Sequence, residues 1–220
     1  YNFPSNPTGA TITVEQRDEL LSFAQRHDLW IITDEVYDRI VFDGEHVSFV
    51  GCDDERVILI NSFSKTFAMT GWRIGYIMSA NKEAIGQMIK IQYYITACSN
   101  DAMQYAVLSA FENASNYPDE MCAEFKARRD LICSRLNSMP GVQCHIPEGA
   151  FYVFPKVEVP GMNSEEIAIE LLKGGVLCSP GSAFGPSGEG HLRFAYTISR
   201  EDISRGMDKT EVVLRRLRGE

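Results

Sequence analysis

Two ionisable side chains follow short apolar runs in this 220-residue chain. Asp34 comes directly after Leu29-Trp30-Ile31-Ile32-Thr33, and Lys65 follows closely on Val57-Ile58-Leu59-Ile60. A lysine amine can bond covalently to an aldehyde and can also carry a proton, so Lys65 is a candidate for nucleophilic and acid–base chemistry. Taken alone, each residue also has an ordinary interpretation, because an aspartate often caps the turn that follows it and most lysines are exposed. The residues around them must therefore decide between the two interpretations.

The apolar runs themselves predict β-strands that are buried on both faces, because they are short and rich in β-branched side chains. Two such runs cover residues 29–33 and 57–60, and residues 74–78 are a third candidate strand. A capping box at Thr13 and Gln16, followed by an apolar stripe, predicts a helix that ends near residues 27–28. Strands that alternate with helices indicate an open α/β sheet, which binds ligands at the carboxyl ends of its strands. Asp34 and Lys65 both lie at such ends.

The rest of the sequence predicts a connecting helix and a smaller α+β region. Predicted helices cover residues 84–111, 119–139, 164–173 and 200–218, and predicted strands cover 150–154 and 192–196. The first of these helices is expected to break near residues 98–100, and the second is expected to link two domains. We therefore predict a large domain over residues 1–117 and a small domain over 118–220.

Composition and charge narrow the class of partner. The net charge is −9, the pI is near 5.0, and the 21 basic residues form no run, which argues against a nucleic-acid surface. The six cysteines and four histidines show no metal-ligand spacing, so we expect no metal site and reduced thiols in a cytoplasmic protein. No apolar stretch is long enough to span a membrane. The Arg128-Arg129 pair is interpreted as part of a solvated helix face. Together, the charge and composition leave small-molecule chemistry as the favoured function.

The stretch around Lys65 is the most specific motif. It reads Ser62-Phe63-Ser64-Lys65-Thr66-Phe67-Ala68-Met69-Thr70-Gly71-Trp72-Arg73-Ile74-Gly75, and over its full length it closely resembles the cofactor-lysine signature of class I and II aminotransferases. Shorter blocks resemble other parts of the family in the same order, at residues 5–9, 34–37, 149–153 and 192–194. The resemblance covers the whole chain and is greatest to the aspartate-aminotransferase-like branch. It implies the fold-type-I large domain, with a partial and mostly parallel sheet, followed by the small carboxy-terminal domain.

The resemblance also implies a cofactor, pyridoxal 5'-phosphate (PLP), bound covalently to Lys65. The same amine would then move the α-proton of the substrate. Asp34 would pair with the pyridinium nitrogen and keep it protonated. Tyr37, on a helical turn that begins at Val36, would donate to the phenolic oxygen of the cofactor.

The remaining site residues are assigned by the same resemblance. Arg73 and Ser62 would bind the cofactor phosphate, with Ser64 as a further helper, because the planar guanidinium suits phosphate. Asn6 would donate to the phenolic oxygen and to the substrate. Arg193 would hold the substrate α-carboxylate in a bidentate pair, and the glycine-rich residues 181–190 are interpreted as the loop that leads to it.

These roles imply transfer of an amino group between an amino acid and a 2-oxo acid. Two alternatives stay open, a PLP-dependent carbon–sulfur lyase and the aminotransferase-like sensor domain of a transcription regulator, since either could use Lys65. The opening Tyr1-Asn2-Phe3-Pro4 reads like the middle of a domain. We therefore expect the carboxy-terminal part of a longer enzyme, inert by itself if half of the site is missing, and a homodimer or larger assembly.

Overall fold

The computed structural model describes all 220 residues, Tyr1–Glu220. Its helices are α1 Val14–Arg26, α2 Phe63–Thr66, α3 Lys82–Thr96, α4 Asp101–Asn113, α5 Tyr117–Asn137, α6 Ser164–Lys173 and α7 Arg200–Arg218. Its strands are β1 Ile31–Asp34, β2 Val57–Ser62, β3 Gly75–Met78, β4 Val142–Gln143, β5 Tyr152–Val153, β6 Lys156–Val157, β7 Ser179–Pro180 and β8 Leu192–Ala195. Short 3-10 helices cover Thr70–Trp72, Gly181–Phe184 and Pro186–Gly188.

The chain forms two compact units. The first contains Tyr1–Pro4 and Ala10–Cys122, and the second contains Ser5–Gly9 and Ala123–Glu220. The chain therefore passes between the units at residues 4–5 and 9–10, and again within α5. The domain division at residue 117 stays a prediction.

The first unit is built on a three-stranded sheet in the order β1-β2-β3. β1 runs parallel to β2, with Asp34 opposite Ile60, whereas β3 runs antiparallel to β2, with Gly75 opposite Ser62. A parallel bridge between Asn2 and Asp34 extends the sheet beyond β1. This pairing places the carboxyl ends of β1 and β2 and the amino end of β3 at the same end of the sheet.

The prediction that these strands are buried on both faces is wrong for β1. Successive side chains of a strand point to opposite faces, and in β1 Thr33 is buried while the side chain of Ile32 is 53% exposed. Ile77 in β3 is also exposed. The apolar run indicates which side chains favour burial, but one face of β1 and both faces of β3 are exposed in this chain.

The helix signals in the first unit are confirmed. Thr13 and Gln16 form the predicted capping box, with the Gln16 amide donating to Thr13 Oγ1 over 3.3 Å and the Thr13 amide donating to Gln16 Oε1 over 2.9 Å. The predicted break separates α3 from α4, and Asn100 caps the second of these helices. Local capping chemistry therefore sets where these helices begin.

The second unit is an α+β structure. Its antiparallel sheet has the order β5-β8-β7, and β4 pairs separately with β6. The predicted strands at residues 150–154 and 192–196 are present as β5 and β8, and α6 and α7 have the predicted bounds. The predicted connecting helix is present as α5. The two-residue strands β4, β6 and β7 carry too little periodicity to be predicted from sequence.

The interpretation of the Arg128-Arg129 pair as a solvated face is wrong for Arg129. Its side chain is buried, and its guanidinium donates to the carbonyl oxygen of Pro147 over 3.2 Å. A buried arginine needs such acceptors because its charge cannot be left unpaired. Arg129 therefore ties α5 to the segment that precedes β5. No helix of the structure is both long and apolar enough to cross a membrane.

Candidate active site

The Lys65 side chain lies at the carboxyl end of β2, where the chain turns directly into α2. Ser62 caps that helix, because its Oγ accepts from the Ser64 amide over 3.1 Å. The Lys65 amine lies 5.9 Å from the centroid of the Tyr37 ring. Burial lowers the pKa of Lys65 below its ordinary value, and the charge of Arg73 lowers it further against the opposing attraction of Asp34. A larger fraction of this amine is therefore neutral at a given pH than in an exposed lysine.

Asp34 ends β1 and begins a turn. Its Oδ1 accepts from the Val36 amide over 3.2 Å, while its other carboxylate oxygen makes no hydrogen bond within the chain. One carboxylate oxygen of Asp34 therefore caps the turn, and the other can still accept a hydrogen bond. The helical turn predicted from Val36 is wrong, because Asp38 donates to the Glu35 carbonyl and Ile40 to the Tyr37 carbonyl in consecutive tight turns. Tyr37 is nevertheless directed inward, and only 4% of it is exposed.

The candidate phosphate-binding groups line one cavity of about 730 Å³ in the first unit. Arg73 donates from one terminal nitrogen to the Thr70 carbonyl over 2.9 Å, and its other N–H groups have no partner within the chain. The Ser62 and Ser64 hydroxyls line the same cavity and donate to no protein group. Two hydroxyls and an arginine fork without a carboxylate partner are the donors that a phosphate requires.

Gly75 allows the strands to approach each other beside these donors. A Cβ atom at this position would lie 2.6 Å from the Asn61 carbonyl oxygen and 3.0 Å from the Ser62 side chain. The glycine therefore keeps open the space in front of Ser62. Ile85, Met88 and Ile89 also line this cavity, whereas Asp34, Tyr37 and Lys65 do not. The hydroxyls and the arginine fork of this cavity therefore fit the phosphate of PLP.

The second unit contains the other predicted site residues, Asn6 and Arg193. One terminal nitrogen of Arg193 donates to Asn6 Oδ1 over 2.8 Å, and the other donates to Ser179 Oγ over 3.1 Å. The Nε atom is buried and has no partner. One N–H on each terminal nitrogen is then left over, and this pair can serve a carboxylate in bidentate geometry.

Three residues beside Arg193 were missed by the sequence reasoning. Ser179 lies opposite Arg193 in the β7–β8 pairing, and the rings of Tyr152 and Phe184 lie 4.6 and 4.9 Å from the guanidinium carbon. Tyr152 belongs to a block that the family resemblance singled out, but a role for its ring required the register of β5 against β8. No local signal identifies Ser179 or Phe184, because both depend on pairings between distant segments.

Gly9 holds the Asn6 loop in place within the second unit. Its carbonyl oxygen accepts from the amides of Glu148 and Gly149 over 3.0 and 2.9 Å. A Cβ atom at Gly9 would lie 2.3 Å from the Pro147 Cβ, and the residue has a φ of +70°. Glycine is therefore required here for both conformation and space, and the blocks at residues 5–9 and 149–153 pack as one structure.

Comparison with known proteins connects these features to a family. The family model described as "Aminotransferase class I and II" matches residues 1–209. Aromatic-amino-acid aminotransferase 2 of Thermococcus litoralis is 40% identical over 220 residues, covering 97% of this chain and 56% of the relative. The aspartate aminotransferase of Pyrococcus abyssi has the same identity and coverage.

Solved structures agree with the sequence comparison. The aromatic aminotransferase of Pyrococcus horikoshii matches with a TM-score of 0.92 at 40% identity, covering 98% of this chain and 60% of that one. An aspartate aminotransferase from Thermus thermophilus matches with a TM-score of 0.90 at 32% identity. The chain spans just over half of the length of the relatives that it matches. Its α/β fold and its sequence from residue 1 to 209 show that the chain belongs to the class I and II aminotransferases.

Proposed function

We propose that this protein is a PLP-dependent aminotransferase that moves an amino group between an amino acid and a 2-oxo acid. The observation that carries the proposal is the setting of Lys65, a partly buried amine close to the charges of Arg73 and Asp34. A surface lysine would have no such setting. The relatives named above are transaminases, which favours amino-group transfer over the carbon–sulfur lyase and regulator alternatives.

Apart from Asn6, the residues that would hold the cofactor belong to the first unit. Arg73, Ser62 and Ser64 would bind its phosphate, Asp34 would pair with its ring nitrogen, and Lys65 would bond to its aldehyde. Tyr37 would donate to its phenolic oxygen. When bound, PLP supplies an electron sink that stabilises the negative charge left when a substrate loses its α-proton.

The protein residues would contribute proton transfer and orientation. The lowered pKa of Lys65 favours the neutral amine, which is the form that can accept a proton. The negative charge of Asp34 would favour a proton on a ring nitrogen beside it. Each contribution depends on a charge that the fold already holds in place, so little reorganisation is needed.

Arg193 would bind the α-carboxylate of the substrate through its two remaining N–H groups. Hydrogen bonds to charged groups contribute about 1.5 to 3 kcal/mol each. Asn6 would fix one side of the fork and would also contact the substrate. Its oxygen accepts from Arg193 over 2.8 Å.

We also propose a cytoplasmic homodimer or larger assembly. All six cysteines are free thiols, which is consistent with a reducing compartment. Apolar side chains on α3 and α4 are exposed in this single chain, and a second copy could cover them.

The division of labour between two arginines tests the proposed function. Arg193→Lys should mainly raise the KM for amino acids, because lysine keeps the charge but loses the fork. Arg73→Lys should instead weaken retention of PLP, measured by absorbance after dialysis. The assay supplies PLP, an amino acid and a 2-oxo acid and measures the new amino acid formed, with the exposed Arg26→Lys as control. The reverse pattern in the two variants would contradict the assignment, and pyruvate released without a 2-oxo acid would indicate a lyase.

A further inference from the structure

The guanidinium group of Arg193 lies close to two aromatic rings of the second unit. Its central carbon is 4.6 Å from the centroid of the Tyr152 ring and 4.9 Å from that of Phe184. Tyr152 comes from β5, and Phe184 ends the 3-10 helix Gly181–Phe184. The two rings therefore reach Arg193 from separate segments of the chain.

Both rings are held by contacts that do not involve Arg193. Tyr152 is buried and pairs with Ala195 across the sheet. The Phe184 segment is closed by a contact that only glycine permits, since a Cβ atom at Gly181 would lie 1.9 Å from the Gly188 carbonyl oxygen. Each ring is thus held beside the guanidinium by contacts of its own.

The two rings and the hydrogen bonds constrain the guanidinium in complementary directions. Stacking against aromatic faces limits movement out of the guanidinium plane and adds a cation–π attraction. Asn6 and Ser179 accept N–H groups from its terminal nitrogens and so limit rotation. An arginine side chain that is already ordered loses less entropy when a carboxylate binds.

We propose that Tyr152 and Phe184 are positioning residues that order Arg193 for a substrate carboxylate. This inference rests on the proposed function, because it takes the carboxylate as the ligand of Arg193. Neither ring needs to touch the substrate for this role. The expected consequence is a weaker affinity for carboxylates when a π face is lost, even where an apolar side chain of similar bulk replaces the ring.

Phe184 is the better residue for a test because it is 36% exposed, and an exposed residue tolerates replacement better than buried Tyr152. Phe184→Leu keeps an apolar side chain but removes the π face, whereas Phe184→Tyr restores it. Phe154→Leu is the matched packing control, since the Phe154 ring lies 5.8 Å from that of Phe184 and has no cation–π contact with Arg193.

The first readout is the NMR signal of the Arg193 Nε–H group, which two flanking rings should shift upfield. Phe184→Leu should move this signal toward the position of an unstacked arginine, and Phe184→Tyr should return it. The second readout is the dissociation constant of succinate, used as an unreactive carboxylate probe. Loss of one cation–π contact should weaken this binding about fivefold in Phe184→Leu, with Phe184→Tyr close to the original protein.

Two outcomes would overturn the proposal. One is an Arg193 signal that does not move in Phe184→Leu, and the other is an equal loss of succinate affinity in Phe154→Leu. Failure of the proposed function is distinguishable, because an original protein that binds no succinate at Arg193 would contradict the carboxylate role. The NMR signal would still decide whether the rings order the guanidinium.

Discussion

The reactivity of Lys65 depends on its neighbours and not on its residue type alone. Burial and the charge of Arg73 both favour the neutral amine, and Asp34 opposes them. The same two charges are the groups that PLP would meet, since Arg73 would bind its phosphate and Asp34 its ring nitrogen. The charges proposed to bind the cofactor therefore also set the protonation of the lysine.

Removal of the Arg73 charge and removal of the Asp34 charge should move the pKa of Lys65 in opposite directions. Arg73→Gln should raise it, because a neighbouring positive charge that disfavours the ammonium form is lost. Asp34→Asn should lower it, because an attraction that favours the ammonium form is lost. Reductive methylation with ¹³C-formaldehyde and an NMR titration would measure the midpoint directly, with the exposed Lys90 as an internal reference. Midpoints that shift together, or not at all, would contradict this electrostatic account.

The seven candidate site residues were all assigned from sequence, because each lies in a continuous sequence motif that resembles the family. The contacts that surround these residues could not be predicted as well. The pairing of β5, β7 and β8 brings Arg193 close to Ser179, Tyr152 and Phe184. No local sequence pattern predicts the register of these strands. Residue types could therefore be predicted, whereas the contacts that order Arg193 could not.

At the scale of elements, the segment after β1 is held by a buried carboxylate. Glu35 accepts from His46 Nε2 over 2.8 Å, from Ser48 Oγ over 2.6 Å and from the Phe49 amide over 2.9 Å. Burial raises the pKa of Glu35, but the three hydrogen bonds outweigh it and the net pKa is lowered. This network fixes the loop that follows Asp34 and Tyr37.

Glu35→Gln should destabilise the protein near neutral pH by about 2 kcal/mol, the usual contribution of hydrogen bonds to a charged group. Because the folded-state pKa of Glu35 is lowered, its stabilisation is present above the unfolded value of about 4.3 and is lost as pH falls through the folded pKa. The difference between the variant and the original protein should therefore shrink in acid. Urea unfolding at several pH values measures it, with the exposed Glu45→Gln as control. A difference that stays constant with pH would contradict the role of the ionised carboxylate.

Helices were predicted more accurately than strands for a physical reason. Capping residues and a period of 3.6 residues are local, so the bounds of α6 and α7 could be predicted, whereas β4, β6 and β7 have two residues each and depend on their partners. Arg129 shows the same limit, because nothing in α5 reveals that Pro147 will offer it an acceptor. Local signals sufficed for elements that are stabilised locally.

At the scale of the whole molecule, the main feature is an apolar surface on α3 and α4 that the chain itself leaves exposed. Ile89, Tyr93, Tyr94 and Ile95 on α3 are all exposed, and Tyr94 is exposed by 87%. Tyr105 and Phe111 on α4 add to this surface. Apolar patches of this kind mark surfaces that another chain or segment covers.

We therefore expect the chain to associate in solution. Sedimentation analysis over a range of concentrations should show a dimer or a larger species, and Ile95→Glu should shift the population toward the monomer by placing a charge in the interface. Glu83→Gln, at the amino end of the same helix, is the control. A monomer of 24.7 kDa at every concentration would contradict the expectation.

The covalent attachment of PLP to Lys65 is the central claim, and chemical trapping tests it most directly. The protein is incubated with PLP and reduced with borohydride, and the modified lysine is located by peptide mapping. We expect the label on Lys65 and its loss in Lys65→Ala, while Lys82→Ala and Lys90→Ala keep it. A label that is found on Lys82 or Lys90 instead, or that persists in Lys65→Ala, would contradict the assignment.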